Sequence, residues 1–219
     1  MSYMIITLDG PAGSGKSTVS RLVAQRMGFI YLDTGAMYRA VAFQARRMNI
    51  RLKNTSELKK MCGNMDLRFM SDKGMHRIFL GKEDISLEIR KPEMDMLSSS
   101  ISAIKEVRAS MTGLQREIAK TGNIVAEGRD MGTVVFPNAD YKFYITASIP
   151  VRAERRYKER IDRGESVLIE DVEKELRRRD EQDKTRKIAP LKPAENAIII
   201  DTTKMGIQDV VDEIVTMAT

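Results

Sequence analysis

Residues 10–17 read GPAGSGKS and match the pattern G-x-x-x-x-G-K-[ST] at every fixed position. Glycines let the backbone turn its N–H groups towards an anion, and the helix that follows adds its positive N-terminal end. In such a loop Lys16 reaches the β- and γ-phosphates of ATP, while the Ser17 hydroxyl helps to hold Mg²⁺. The segment therefore predicts a site for phosphoryl transfer. We expect the following residues to form it: Gly10, Pro11, Ala12, Gly13, Ser14, Gly15, Lys16, Ser17 and Thr18.

This loop predicts the phosphoryl donor but not the acceptor, because kinases, GTPases, ATPases and helicases share it. A GTPase would need a segment like N-K-x-D to read its base, and the sequence contains none. A motor ATPase would be larger than 219 residues and would have a strand that ends in Asp-Glu. The short chain and its separate arginine clusters favour a kinase for a small molecule.

Short apolar runs alternate with longer helical patterns along the chain, which predicts an α/β fold with a parallel sheet. The predicted strands are residues 5–8, 29–32, 124–127, 141–146 and 197–200. The predicted helices are residues 16–27, 36–48, 101–119, 151–163, 170–187 and 207–217. These elements would place the phosphate-binding loop between the first strand and the first helix.

The stretch from residue 65 to residue 85 alternates polar and apolar residues with period two, around the turn sequence Ser71-Asp72-Lys73-Gly74. This pattern predicts an antiparallel hairpin, which fits poorly inside a crossover between parallel strands. We therefore expect residues 54–98 to be an insertion with its own small sheet. A regular crossover with a long loop is the alternative interpretation.

Polar residues follow the predicted strands at the sheet edge where parallel sheets bind ligands. We expect these side chains to meet Lys16 in one crevice, where arginines would neutralise a second phosphate and carboxylates would either orient Mg²⁺ waters or accept from a base or ribose. For any single one of them, a surface salt bridge is the alternative. The residues are Asp33, Tyr38 and Arg39 after the second strand, and Arg129 and Asp130 after the third.

The late helix carries a second charged cluster. Arg179, Asp183 and Arg186 are spaced i, i+4, i+7 and therefore share one helix face. Arginines on such a segment can stabilise the charge of a transferring phosphoryl group. A solvated charged face explains the same spacing and stays open as the alternative.

The composition is that of an ordinary globular protein, with 42% hydrophobic and 31% charged residues. The chain has no apolar run near the roughly 20 residues that span a bilayer, and its start does not have the pattern of a secretory signal. Its single cysteine, Cys62, suggests neither a disulfide nor a metal site. Together these features predict a cytoplasmic protein that does not bind a membrane.

The net charge of +6 leaves open a nucleotide-dependent nucleic-acid binder as a second class of function. Such a protein would show salt-sensitive binding to DNA or RNA. The sequence shows neither an aromatic stacking platform nor a known nucleic-acid module, so we expect no nucleic-acid partner.

The sequence resembles the bacterial cytidylate kinase family, within the nucleoside monophosphate kinases, over nearly its whole length. The matching segments are LDGPAGSGKST, YLDTGAMYRA, EDISLEIRKPEMDMLSSSISAIKEVR, VAEGRDMGTVVFPNADYKFYITAS, RRRDEQDKTRKIAPL and AIIIDTT. The resemblance implies a P-loop three-layer α/β fold with a five-stranded parallel sheet, an inserted NMP-binding domain and a short lid. The core would comprise residues 1–53 and 99–219, the insertion residues 54–98 and the lid about residues 155–187. It also implies a monomer that phosphorylates CMP and dCMP with ATP and Mg²⁺.

The resemblance also implies the acceptor contacts. Ser99, Arg108 and Asp130 would contact cytosine. The Asp130 carboxylate can accept a hydrogen bond from the exocyclic amine of cytosine, whereas it would face the carbonyl of uracil unfavourably. A kinase for UMP or for a non-nucleotide acceptor remains the alternative within enzymes. The remaining substrate contacts would come from Thr34, Arg39, Arg129, Arg179, Asp183 and Arg186. The implied catalytic residues are Lys16, Arg129, Asp130, Arg179 and Arg186.

Overall fold

The computed structural model of the protein describes residues 3–72 and 75–219. Its strands are β1 (Ile5–Asp9), β2 (Ile30–Asp33), β3 (Leu67–Asp72), β4 (Met75–Leu80), β5 (Glu83–Asp84), β6 (Ile124–Gly128), β7 (Tyr141–Thr146) and β8 (Ile198–Asp201). Its helices are α1 (Lys16–Met27), α2 (Thr34–Arg47), α3 (Thr55–Gly63), α4 (Pro92–Ser102), α5 (Lys105–Ile118), α6 (Ile149–Asp162), α7 (Ile169–Thr185) and α8 (Ile207–Ala218). Among the described helices, none combines the length and the apolar character that a membrane span requires.

The chain divides into two compact units, which we describe separately. The core unit comprises Met1–Leu32 and Ala119–Thr219, and the second unit comprises Asp33–Ile118. The predicted insertion, residues 54–98, lies inside the second unit, which extends beyond it in both directions along the chain.

A five-stranded parallel sheet in the order β2-β6-β1-β7-β8 organises the core unit, so the predicted α/β fold is confirmed. In the register of this sheet, Asp9 at the end of β1 lies beside Gly128 of β6 and Tyr144 of β7. The carboxyl ends of these strands are therefore level, and the loops that leave them start at one edge.

The core of this unit is an apolar layer between the central strands and the helices α1 and α8. The central strands β1 and β6 are buried on both faces, as is typical of a parallel sheet covered by helices. The main buried members are Ile6, Leu8, Val19, Val23, Val125, Phe143, Ile145, Ile200, Val210, Val211 and Ile214.

Glycines begin and end α1. Gly15 precedes the helix with a left-handed φ of 87°, and Gly28 follows it with a φ of 67°. The Gly28 N–H closes the helix on the carbonyls of Ala24 and Gln25, which is the common glycine C-cap arrangement. The sequence pattern predicted both ends of this helix correctly.

The second unit contains a three-stranded antiparallel sheet in the order β3-β4-β5. Leu67 pairs with Leu80 and Phe69 with Ile78, so the predicted antiparallel hairpin is confirmed. The turn predicted at residues 71–74 includes Lys73 and Gly74, which lie outside the described residues.

The structure corrects the helix predicted at residues 101–119. Two helices occupy this region, because α4 begins with Pro92 and ends at Ser102, and α5 starts at Lys105. Proline is well tolerated in the first turn of a helix, so Pro92 starts α4 rather than interrupting it. The short helix α3 was also missed; Asn54 caps it by accepting from the Glu57 N–H at 3.3 Å.

Candidate active site

The phosphate-binding loop lies between β1 and α1 and requires glycine at two positions, because a side chain there would collide with neighbouring backbone. A Cβ on Gly10 would lie 2.0 Å from the carbonyl oxygen of Ile145. A Cβ on Gly13, whose φ is 75°, would lie 2.9 Å from the carbonyl oxygen of Arg152. The loop is therefore pressed against β7 and α6, and its backbone conformation suits the phosphates of a nucleotide.

Lys16, the first residue of α1, is buried, and its Nζ donates to the carbonyl oxygen of Pro11 at 3.0 Å. Burial, together with the positive charges of Arg129 and Arg179, lowers the pKa of Lys16 to about 7. Glu127 and Asp183 act in the opposite direction. The lysine is thus part of a concentrated group of cations that an anion would stabilise.

Two hydroxyls of the loop, those of Ser14 and Ser17, could contact a ligand. Ser17 is exposed on the first turn of α1, and the Oγ of Ser14 is buried without a hydrogen-bond partner among the described residues. Within residues 3–72 and 75–219, no group of three or more His, Cys, Asp or Glu side chains could hold a metal ion. A cation here would therefore take most of its ligands from phosphate oxygens and water.

Ion pairs join α7 to the segment that follows β6. The Nε of Arg129 donates to Oδ2 of Asp183 at 2.7 Å, and Nη2 of Arg186 lies 3.4 Å from Oδ1 of Asp130. All four side chains are at least 85% buried, the most exposed being Arg129 at 15%. Asp183 and Arg186 thus contact the residues after the third predicted strand within the core unit, a pairing that the sequence did not predict.

Asp183 stays ionised in this buried setting. Burial raises its pKa, but the positive charges of Arg129, Arg179 and Arg186 and the hydrogen bond from Arg129 together hold the pKa below its usual value. Arg179 is half-buried on the same helix. The carboxylate thus sets the orientation of arginines that could bind phosphate.

The chain that follows α7 fixes Arg186 by a strained backbone. Ala189 has a left-handed φ of 51°, and its carbonyl oxygen accepts from the Nε of Arg186 at 2.5 Å. The Leu191 N–H donates to the carbonyl oxygen of Asp183 at 2.8 Å. A left-handed alanine costs on the order of 1 kcal/mol, which the surrounding hydrogen bonds offset.

Asp9 anchors the turn that carries Arg129 and Asp130. Its two carboxylate oxygens accept from the backbone N–H groups of Met131 and Gly132, each at 2.8 Å. Burial raises the pKa of Asp9 to about 6, although these hydrogen bonds lower it. The end of β1 therefore fixes the turn after β6.

In the second unit, Asp33 and Arg39 lie at the start of α2. Asp33 caps the helix by accepting from the Ala36 N–H at 2.7 Å. The guanidinium of Arg39 lies 3.8 Å from the Asp33 carboxylate and 3.9 Å from that of Asp95 on α4. Its Nε has no hydrogen-bond partner among the described residues, so Arg39 retains donor capacity for an anion.

Of the three residues predicted to read the base, Ser99 and Arg108 lie in the second unit, whereas Asp130 lies in the core unit. Arg108 is buried on α5, donates to the carbonyl oxygen of Ser102 at 3.0 Å and lies over the ring of Tyr38. Ser99 is buried on α4, and its Oγ has no hydrogen-bond partner within the described part of the chain. Thr34 is buried as the first residue of α2.

The structure thus brings the predicted site residues together in two groups, one in each unit. The core unit holds the phosphate-binding loop and the charged residues Arg129, Asp130, Arg179, Asp183 and Arg186. The second unit holds the remaining predicted contacts. That both groups meet in one crevice stays a prediction.

Sequence reasoning missed Asp9, Arg152 and Asp180. Arg152 donates to Asp180 at 2.7 Å and to the loop carbonyl of Ala12 at 3.0 Å. For Asp180, the sequence signal that could have revealed it is a charged residue at a position of an otherwise apolar helical stripe. On α7 that stripe is Val172, Leu176, Asp180 and Asp183.

A model of the cytidylate kinase family matches residues 6–219. A cytidylate kinase of Geobacter sulfurreducens is 43% identical over 209 residues, which cover 95% of this chain and 90% of that protein. One of Pseudothermotoga lettingae is 45% identical over 218 residues, which cover 100% of this chain and 95% of that protein. The crystal structure of an uncharacterized protein from Eubacterium ventriosum matches 98% of this chain and 97% of its own, with 11% identity and a TM-score of 0.55, and supports the fold alone.

Proposed function

Because the chain belongs to the cytidylate kinase family, we propose that it transfers the γ-phosphoryl group of ATP to CMP and dCMP, with Mg²⁺. Family membership makes the chain a kinase that acts on nucleotides. The identity of the donor, the two acceptors and the mechanism are the parts that we propose.

The observation that carries the proposal is the cluster of positive charge beside the phosphate-binding loop. Arg129 and Arg179 lie close enough to Lys16 for their charges to contribute to its lowered pKa. Glu127 and Asp183 counteract these charges, yet the pKa of Lys16 stays lowered, so a further anion beside it would be favourable. The phosphates of two nucleotides supply such charge, and phosphoryl transfer depends on its neutralisation.

In the proposed reaction, an oxygen of the CMP phosphate attacks the γ-phosphorus of ATP. The bond from that phosphorus to the β–γ bridging oxygen breaks in line, so ADP leaves and CDP forms without a covalent enzyme intermediate. Lys16, Arg129, Arg179 and Arg186 would stabilise the charge on the transferring group, and Ser17 would hold Mg²⁺, which neutralises the phosphate oxygens.

For the acceptor, we propose the contacts that the family resemblance implies. Ser99 and Arg108 would contact cytosine, and Arg39 would hold the monophosphate. Their support in the structure is the buried Ser99 hydroxyl and the Arg39 Nε, neither of which has a hydrogen-bond partner among the described residues. Buried polar groups are normally paired, so donors and acceptors left over are suited to a ligand.

In the core unit, Asp130 would accept from the exocyclic amine of cytosine, while Arg186 keeps the carboxylate oriented at 3.4 Å. A uracil carbonyl would face this carboxylate unfavourably. We therefore expect discrimination between CMP and UMP rather than between CMP and dCMP.

The test is ADP formation with ATP, Mg²⁺ and each of CMP, dCMP, UMP and AMP in parallel. We expect strong stimulation by CMP and dCMP, and none by any acceptor in Lys16→Met, which lacks the lysine charge. An equal or greater kcat/KM for UMP would refute the base contact of Asp130. Stimulation by none of the four would refute the kinase proposal for these acceptors.

A further inference from the structure

Asp180 and Asp183 on the inward face of α7, and Arg186 directly after the helix, each form an ion pair. Two of these positions, Asp183 and Arg186, carry residues of the proposed reaction. The third pair joins Asp180 to Arg152 of α6, and the proposed reaction uses neither residue. This pair therefore needs an explanation of its own.

Arg152 uses each of its guanidinium nitrogens on a different part of the core unit. Its Nη2 lies 2.7 Å from Oδ2 of Asp180, and its Nη1 donates to the carbonyl oxygen of Ala12 at 3.0 Å. Its Nε donates to the carbonyl oxygen of Ala147 at 3.0 Å. One side chain thus links α7, the phosphate-binding loop and the end of β7.

Apolar packing surrounds the same link. Ala12 of the loop lies in a small buried cluster with Ala153 of α6 and with Val172 and Leu176 of α7. The backbone of Arg152 also approaches the loop so closely that a Cβ on Gly13 would lie 2.9 Å from the Arg152 carbonyl oxygen. The loop and the two helices therefore pack as one assembly within the core unit.

A buried ion pair is a weak source of stability, because desolvation of the two charges offsets most of their attraction. The side chains of Arg152 and Asp180 are only 8% and 10% exposed, so an apolar pair could fill the same space without that cost. The charged pair instead fixes the relative orientation of the groups that it joins, since a guanidinium with three fixed acceptors can adopt one orientation.

We propose that Arg152 and Asp180 are positioning residues that hold Arg179 and Asp183 of α7 in register with the phosphate-binding loop. Asp180 directly follows Arg179 and lies one helical turn before Asp183, so fixing it fixes both neighbours on a rigid helix. This inference rests on the proposed function. A misplacement of about 1 Å in a transfer site costs on the order of a hundredfold in rate.

The test compares Asp180→Asn with Glu173→Gln. Both remove one carboxylate charge from α7, but Glu173 pairs with the exposed Arg177 on its own helix. Both proteins are assayed at a temperature where circular dichroism shows them fully folded. Hydrogen exchange of the α7 amides is measured on the same samples.

For Asp180→Asn we expect kcat to fall by about ten- to a hundredfold, with KM for ATP and CMP changed less than kcat. ATP hydrolysis without an acceptor should rise relative to transfer, and the α7 amides should exchange faster. Glu173→Gln should match the parent protein in all these properties. Arg152→Lys keeps the charge but not the planar fork, so it should show the same effects to a smaller degree.

Wild-type kcat in folded Asp180→Asn, with only a lower melting temperature, would overturn the inference and leave a purely structural pair. Failure of the proposed function would look different, because the parent protein itself would then phosphorylate none of the acceptors. In that case hydrogen exchange decides: faster exchange of α7 in Asp180→Asn alone supports the positioning role, and unchanged exchange refutes it.

Discussion

Arg129 and Asp183 form the central pair of the candidate active site, with Nε and Oδ2 at 2.7 Å. Asp183 remains a carboxylate despite its burial, because arginines on its own helix and after β6 hold its pKa below the usual value. A phosphate that binds Arg129 must therefore share this arginine with Asp183. The pair fixes the direction of the guanidinium before any phosphate reaches it.

Replacing Arg129 by alanine should lower kcat/KM by at least about tenfold, because it removes a phosphate contact and leaves Asp183 without its closest cation. Arg129→Lys is the matched control, since it keeps the charge but lacks the planar guanidinium that can donate two hydrogen bonds to a phosphate. Steady-state kinetics with CMP measure both effects. An unchanged kcat/KM in the alanine variant would remove Arg129 from the site.

The activity should fall as the pH drops through about 6, the pKa of Asp9. Protonation converts one acceptor oxygen into a hydroxyl, so the N–H groups of Met131 and Gly132 lose part of their anchor. Asp9→Asn should show the low-pH activity throughout and lack this step. Rates measured between about pH 5 and 8 test this, and an identical step in Asp9→Asn would assign it to another group.

Protonation of Asp9 should lower the activity but increase the stability of the folded protein. The raised pKa of Asp9 means that the folded chain binds this proton more tightly than the unfolded chain, whose aspartate has its ordinary pKa of 3.8. Its contribution to the free energy of unfolding therefore increases as the pH falls from about 6 towards 4. Thermal denaturation should show the parent protein gaining stability relative to Asp9→Asn over this range.

Nucleotide binding should be coupled to proton uptake at Lys16. Its pKa of about 7 means that the amine is largely neutral one unit higher, near pH 8. Phosphates placed beside it favour the charged form and raise this pKa, so binding should take up a fraction of a proton approaching one. Calorimetry in buffers with different ionisation enthalpies measures this uptake. It should vanish well below pH 7, and uptake that is absent near pH 8 would contradict the prediction.

Ser99→Ala should weaken the acceptor reaction without destabilising the protein. The Ser99 Oγ has no hydrogen-bond partner among the described residues, so its removal breaks no contact there. One lost hydrogen bond to cytosine would lower kcat/KM for CMP by about three- to tenfold. The control is Ser98→Ala, which removes a hydroxyl that donates to the Asp95 carbonyl oxygen at 3.0 Å. A lower melting temperature with unchanged kinetics in Ser99→Ala would make this serine a structural residue.

Much of the core unit could be predicted from the sequence, because its signals are local. Each sheet strand is a short β-branched run bounded by turn residues, and the predicted bounds of 141–146 match β7 at both ends. The helix α1 was equally well defined, since a fixed glycine pattern starts it and Gly28 ends it. The helices α3 and α4 were missed because their short stretches, rich in serine and charged residues, carry a weak periodic signal.

The chemistry expected of the phosphate-binding loop, and the sheet edge to which Arg129 and Asp130 belong, could be predicted from local pattern and strand order. Which charges pair depends on the tertiary structure. Helical spacing grouped Arg179 with Asp183 and Arg186, but it gave no sign that Asp180 pairs with Arg152, Asp183 with Arg129 and Arg186 with Asp130. That choice depends on which side of α7 packs against α6 and the loop, and the partners are far apart along the chain, so no local pattern contains it.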